Sequence, residues 1–296
     1  MGKMMTGYIS DEFYKMIPRG ETFELLGVFS KAVYFRGSTG SILLIFEDKF
    51  GSVPFGIAVT EFRKVRIDEG CEAVLSDDQV RILKDGAEVQ KLTLVERKTK
   101  RARPGQSLDR LSRKGLAALA VSEKGALKKI ILKEAEETVY ARKLAQELSV
   151  MEKLSGSEQT DEQKGEQTAE QRSIQKRAQL KASLHKVIGL GPGLTPSCDD
   201  FFVGFLYAQK YFGMENALLR ECIEEVASSQ TTASSAAFLQ SVCAGRTISV
   251  IEDLFAARSE AELDAALALL LGVGSNSGAD ILTGVLEGMR FCQEHM

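Results

Sequence analysis

The sequence predicts an α+β protein, with a β-rich barrel or sandwich over residues 1–96 and an all-helical domain over 127–296. Two patterns carry the prediction. Between residues 23 and 95, short apolar runs alternate with turn signals at close spacing, as expected of many short antiparallel strands. After Asp200, apolar residues recur at helical spacing in one segment after another. A glycine- and proline-rich stretch from Ile188 to Phe205 leads into the helical series, and it has an echo further down the chain.

Residues 1–20 read as a mixed lead-in. The strand-like runs are 24–30, 32–36, 41–46, 54–59, 71–75, 80–83 and 89–95. Asp85-Gly86 between the last two is a hairpin signal, because a type I′ turn needs positive φ at both central positions. Residues 97–126 form a connector that starts the helical region. It is basic through Arg97, Lys98, Lys100, Arg101, Arg103, Arg110, Arg113 and Lys114. A run of this kind reads first as a solvated connector and second as a source of one or two anion contacts. Pro104-Gly105 breaks the chain before helical patterning starts near Ser107.

Ile130, Leu132, Ala135, Val139, Ala141, Leu144 and Leu148 form an approximate stripe that predicts one long helix over 127–154. Residues 155–171 are rich in Gly, Ser, Gln and Glu. They carry too little apolar surface to offset the entropy of ordering, so a flexible loop or insertion is expected there. Helices then follow at 200–212, 215–228, 232–243, 247–257, 260–271 and 279–293, with Ser259 and Glu262 spaced as a capping box for the fifth.

Composition narrows the function classes. Hydrophobic content of 44% and charged content of 27% are those of a soluble globular protein. A net charge of −3 gives no general attraction to nucleic acid or to an anionic membrane. The sequence has 5 cysteines in no CxxC pair and 2 histidines, which is little material for zinc and fits a reducing compartment. With no signal-peptide core at the start and no apolar run near the ~20 residues of a membrane span, a cytoplasmic location is expected.

The chemistry concentrates in the paired stretch. Ile188 to Phe205 reads IGLGPGLTPSCDDFFVGF, and Gly272 to Val285 reads GVGSNSGADILTGV. At an offset of 80, Ser197 falls on Ser277, Asp200 on Asp280 and Gly204 on Gly284. One reading is purely structural: Ser-x-x-Asp starts a helix, and the glycines permit tight entry and close helix packing. It leaves Pro192, Thr195, Pro196 and Asp199 without a purpose. The functional reading takes the two helix starts as halves of one polar pocket. Gly191, Gly193, Thr195, Ser197, Ser275, Ser277 and Gly278 would meet a small anion. Asp199, Asp200 and Asp280 would carry the chemistry by binding N–H or cationic groups. Carboxylates without His or Cys suit a hard cation such as Mg²⁺ better than zinc, but no metal ligand set and no cofactor is assigned. Thr232 and Ser235 open another helix, as an ordinary cap or as ligand contacts. Cys198 at a helix start is a possible low-pKa thiol, yet no base is placed beside it and Gly278 holds the equivalent position.

Gly-x-Gly-x-Gly-Leu-Thr-Pro-Ser-x-Asp-Asp-Phe, then Thr-Thr-x-x-Ser, then Gly-x-x-Ser-x-Ser-Gly-x-Asp-x-Leu-x-Gly resembles a bacterial family that includes the oxamate carbamoyltransferase subunit AllH of allantoin breakdown. Gly27 to Ser30 and Gly51 to Pro54 resemble its β-rich start more loosely, and Cys198 stands where the family pattern has glycine. The resemblance implies a multi-subunit, ATP-independent enzyme that exchanges oxalurate and phosphate with oxamate and carbamoyl phosphate. Its partners would be a small anionic substrate and other subunits, with no nucleic acid and no membrane. A non-catalytic ligand-binding or assembly subunit is the alternative, and a kinase-like phosphate-handling enzyme the third.

Overall fold

The computed structural model describes residues 4–98, 108–134, 138–156 and 169–295. The β-rich part is a closed eight-stranded barrel with the strand order β1-β5-β4-β3-β2-β6-β7-β8. Its strands are β1 (Met4–Ser10), β2 (Thr22–Val28), β3 (Ala32–Gly37), β4 (Ile42–Glu47), β5 (Gly56–Val59), β6 (Cys71–Leu75), β7 (Gln79–Lys84) and β8 (Ala87–Arg97), with the short helix α1 (Phe13–Met16) after β1. Most neighbours are antiparallel. The exceptions are β4 with β5 and β1 with β8, both parallel. The lead-in thus contains the strand that closes the barrel, pairing Met4 to Ser10 with Lys91 to Arg97. Alternation sorts side chains by face: Cys71, Ala73, Leu75, Val80, Ile82 and Leu92 are buried while their neighbours are not. Asp85 and Gly86 have φ of 52° and 75°, the two positive values that the hairpin signal requires.

The helices are α2 (Leu108–Val121), α3 (Lys128–Leu132), α4 (Val139–Gly156), α5 (Ala169–Leu184), α6 (Ser197–Phe212), α7 (Ala217–Gln230), α8 (Ala233–Cys243), α9 (Ser249–Ala256), α10 (Glu260–Leu271) and α11 (Ser277–His295). The capping box at the start of α10 is present in full, with Ser259 and Glu262 each bonded to the other's backbone N–H. The single helix expected over 127–154 is instead two. Lys133 takes a left-handed conformation (φ 58°, ψ 33°) and its N–H bonds back to Ile130 and Lys129, closing α3. Apolar residues on both sides of this stop keep a helical spacing that masks it in the sequence. Lys100, Arg101, Arg103, Pro104, Gly105 and Ser107 of the connector, and 157–168 of the low-complexity segment, lie outside the described residues. Arg97 pairs with Asp48 at 2.6 Å and covers the Tyr8 ring.

The chain divides into two compact units. The first holds Met1–Leu111 and Ala244–Gly274, so α9 and α10 group with the barrel. Within it, the Ser249 hydroxyl lies 2.8 Å from that of Ser52, and Lys31 donates to the Gly272 carbonyl at 2.8 Å. The second unit holds Ser112–Cys243 and Ser275–Met296, and both Ser-x-x-Asp segments of the paired motif fall in it. At its centre are α6, buried from Ser197 to Gln209, and α11, buried from Gly278 to Met289. The two cross with almost no separation. A Cβ on Gly288 would lie 2.8 Å from the Phe205 carbonyl oxygen, and Gly204 and Gly284 are tighter still.

Candidate functional site

The glycine loop is built by backbone geometry that other residues do not tolerate. Gly191 has φ of 121°, and a Cβ there would sit 2.4 Å from the Ser197 nitrogen. The loop folds back onto the start of α6: the Cys198 N–H donates to the Leu190 carbonyl at 3.1 Å, and the Asp199 and Asp200 N–H groups donate to Pro196 at 2.9 and 3.1 Å. At the start of α11, the Ala279 and Asp280 N–H groups both donate to Asn276, at 3.0 Å each. These amides close the two turns and are not free to cradle an anion.

Asp199 and Asp200, adjacent in sequence, do different things. Asp199 is 1% exposed. It accepts from the Gly189 N–H at 2.8 Å, from the Ser235 hydroxyl at 2.7 Å and from the Thr231 hydroxyl. Burial raises its pKa and these donors oppose the shift. Thr232 donates to the Leu194 carbonyl and accepts from the Ser235 N–H at 3.1 Å, which caps α8. Thr231, Thr232, Ser235 and Asp199 therefore strap the glycine loop to the start of α8.

Asp200 and Asp280 belong to the crossing. The Ser277 and Thr195 hydroxyls lie near enough to Asp200 to lower its pKa, and the Ser197 hydroxyl does the same for Asp280. The serine of each copy thus serves the aspartate of the other. The Thr195 and Ser277 hydroxyls are themselves 3.1 Å apart. Asp280 also accepts from the Leu127 N–H at 3.0 Å, and Asn276 accepts from the Gly125 N–H at 3.2 Å, which ties the turn before α3 to the site. Pro196, not Ser197, is the N-cap of α6, and no side chain caps that helix. The Ser197 hydroxyl is therefore not spent on the helix start.

Both carboxyls are sealed, Asp200 at 5% and Asp280 at 0% exposure, and the Oδ2 atom of each has no hydrogen-bond partner. Burial is the main cause of both pKa shifts. It pushes Asp280 up to about 6 against the pull of Ser197, Leu127 and Ala126, and raises Asp200 well above the usual carboxylate range, with the charges of Asp280 and Asp199 adding to the effect. Around this floor, Gly191, Thr195 and Ser277 are half-buried, Gly193 and Ser275 are exposed, and Gly278 is buried. Two carboxyls with one unused oxygen each lie beside the Thr195, Ser197 and Ser277 hydroxyls, and burial favours the protonated form of both. Cys198 is unsuited to nucleophilic attack: burial, then the charges of Asp199 and Asp280, drive its thiol pKa far up. Among the described residues no group of three or more His, Cys, Asp or Glu could hold a metal ion.

Sequence reasoning had no sign of Leu127, Gly125 or the acceptor role of Asn276. His185, on the end of α5, exchanges hydrogen bonds with Gln230, at the last turn of α7, and is exposed.

The fold and the site together define a barrel-plus-helices protein whose polar centre comes from a duplicated helix start. Residues 187–289 match the family model described as "Oxamate carbamoyltransferase subunit AllH". The match takes in both copies of the motif and the Thr231–Ser235 strap, and the barrel lies outside it. No curated protein and no solved structure gives a significant match. Among the described residues no helix is long and apolar enough to cross a membrane.

Proposed function

We propose that this chain is a subunit of a carbamoyltransferase-type enzyme acting on small carboxylates, with the crossing of α6 and α11 as its substrate site. The observation that carries the reading is the crosswise pairing of Ser197 with Asp280 and of Ser277 with Asp200, inside the stretch that matches the AllH family. In the forward direction oxalurate and phosphate give oxamate and carbamoyl phosphate. The carbamoyl carbon loses its bond to the oxamate nitrogen and gains one to a phosphate oxygen, and the nitrogen takes up a proton. That exchange needs two small reactants held side by side and a proton delivered to the leaving nitrogen, not an enzyme nucleophile. Asp200 and Asp280 suit the N–H groups and the proton. Thr195, Ser197, Ser275, Ser277 and the glycines Gly191, Gly193 and Gly278 shape the rim. Asp199, Thr232 and Ser235 hold the loop in place. Other subunits complete the enzyme, and no cofactor is part of the proposal.

The word subunit in the matched description favours a second reading, a ligand-binding or assembly subunit whose partners do the chemistry. Phosphorolysis of oxalurate, assayed with the chain alone and with its co-purified partners, separates the two. Oxamate or carbamoyl phosphate should raise the melting temperature, and Mg-ATP should not. If Asp200→Asn and Asp280→Asn both fold and leave the assembled enzyme fully active, the site is wrongly placed.

A further inference from the structure

We propose that Asn276 is a positioning residue: by holding the turn at Gly125 it seats the Leu127 N–H on Asp280, and so makes Asp280, not Asp200, the member of the pair that carries the negative charge. The two copies of the motif differ just before the serine, where Pro196 stands in the first and Asn276 in the second. An asparagine at a helix start ordinarily turns its side chain onto the amides of its own first turn. Here the Asn276 carbonyl takes the Ala279 and Asp280 N–H groups, and the side chain reaches out of the helix to accept from the Gly125 N–H at 3.2 Å. Proline has no side-chain acceptor, so the first copy cannot make the same contact.

The turn that Asn276 holds is pressed against α11. Gly125 has φ of 97°, and a Cβ there would lie 2.8 Å from that of Ala279. Two residues on, the fully buried Leu127 donates its N–H to Asp280 Oδ1 at 3.0 Å. The Lys124 N–H bonds to the Ser122 hydroxyl at 3.1 Å and the Lys128 ammonium to the Ser122 carbonyl, which braces the turn from within. An amide N–H can only donate, so it favours the ionised acid, whereas a hydroxyl can rotate to accept from a protonated one. Asp280 has the Leu127 amide, while the groups that lower the Asp200 pKa are the Ser277 and Thr195 hydroxyls. The shifts agree, since burial takes Asp280 to about 6 and carries Asp200 well above the ordinary range. Other charges do not set this order by themselves: Cys198 and Asp200 of α6 face Asp280, with Asp199 beside them, and the turn and the start of α3 carry Glu123, Lys124, Lys128 and Lys129. The helix α2, which meets α11 at Gly115, has no titratable residue from there to Val121. On the carbamoyltransfer reading, on which this last step rests, Asp200 gives the proton to the oxamate nitrogen and Asp280 accepts its N–H groups.

Carboxyl-carbon NMR on the full chain with labelled aspartate follows both acids, and Asp200→Asn and Asp280→Asn assign the signals. In the parent, Asp280 should ionise at a lower pH than Asp200. Asn276→Ser keeps a residue suited to a helix start but, one bond shorter, leaves Gly125 unheld. It should raise the Asp280 midpoint by about one pH unit and speed hydrogen exchange at the Leu127 N–H at least about tenfold. The inference is overturned if Asp200 ionises first in the parent, or if the midpoint and the exchange rate stay put in Asn276→Ser. Asn276→Ala is the second variant, with the same expected shifts, and should neither fold, the order of ionisation in the parent decides alone. The assembled enzyme separates this inference from the functional reading. If the Asp280 midpoint moves and the pH profile of oxalurate phosphorolysis does not, the positioning role stands and the substrate site lies elsewhere.

Discussion

Gly204 and Gly284 each face the backbone of the other's helix at one crossing: a Cβ on Gly204 would lie 2.0 Å from the Ile281 carbonyl oxygen, and one on Gly284 would lie 1.9 Å from that of Phe201. The same offset that relates these glycines relates Ser197 to Ser277 and Asp200 to Asp280. Close contact at the glycines is what carries each serine across to the opposite aspartate.

Alanine at either glycine should therefore be severe. The obstruction is backbone, which cannot rotate away, so Gly204→Ala and Gly284→Ala should each cost about 3 kcal/mol or more. Gly193→Ala, where nothing lies within 4 Å and only the positive φ of 96° is strained, should cost clearly less. Urea midpoints compare the three, and equal losses would contradict the tight crossing.

The two adjacent aspartates should part company on mutation. Asp199→Ala strands the Gly189 N–H and the Thr231 and Ser235 hydroxyls, and should cost about 3 kcal/mol. Asp200→Asn keeps an oxygen for its hydroxyl neighbours and removes an acid whose ionisation burial opposes. It should lose under about 1 kcal/mol at neutral pH, or gain stability. Denaturation curves at pH 7 test the ranking, and a larger loss for Asp200→Asn would reverse the assignment of roles.

Stability should fall as pH rises from about 4 to about 6. Asp280 has its folded pKa raised to about 6 from the ordinary 3.8, so the folded state binds more protons in that window. The sign follows: the neutral acid favours the fold at low pH, and by pH 7 ionisation has removed roughly 3 kcal/mol of that preference. Asp199 and Asp200, also raised, act in the same direction. Asp280→Asn should flatten the profile of melting temperature against pH, and an unchanged slope would show that another group sets it.

Cys198 should resist thiol reagents in the native protein. It is fully buried and its ionisation is strongly disfavoured. Labelling with iodoacetamide at pH 8 should be slow until denaturant is added, and Cys198→Ala should keep any substrate-induced rise in melting temperature. Rapid native labelling at this residue, located by mass spectrometry, would refute the description.

The strands were legible because turn chemistry is local. Asp85-Gly86 announces its hairpin by itself. β1 was not, because Met4 to Ser10 has weak alternation and its partners, β5 and β8, are far off in the chain. The helices from α6 onward follow their apolar spacing, whereas the break at Lys133 hides between stretches that keep the same period. The repeat of Ser-x-x-Asp could be read directly. Which serine meets which aspartate could not, since the crossing of two helices decides it. Nor could the division of labour between Asp199 and Asp200, which comes from the ~100° that separates neighbouring side chains around a helix. One turns to α8 and the other to α11.

The grouping of α9 and α10 with the barrel has a consequence for how the protein is made. The first unit is interrupted by most of the second, and its last residues, through Gly274, emerge from the ribosome late. Until then Ser52 lacks Ser249 and Lys31 lacks the carbonyl of Gly272. The first unit stays incomplete, its barrel strands made but α9 and α10 missing, while most of the other unit is translated. A single cut in the 99–107 connector would not yield two whole pieces, because the downstream fragment would carry away two helices that belong upstream.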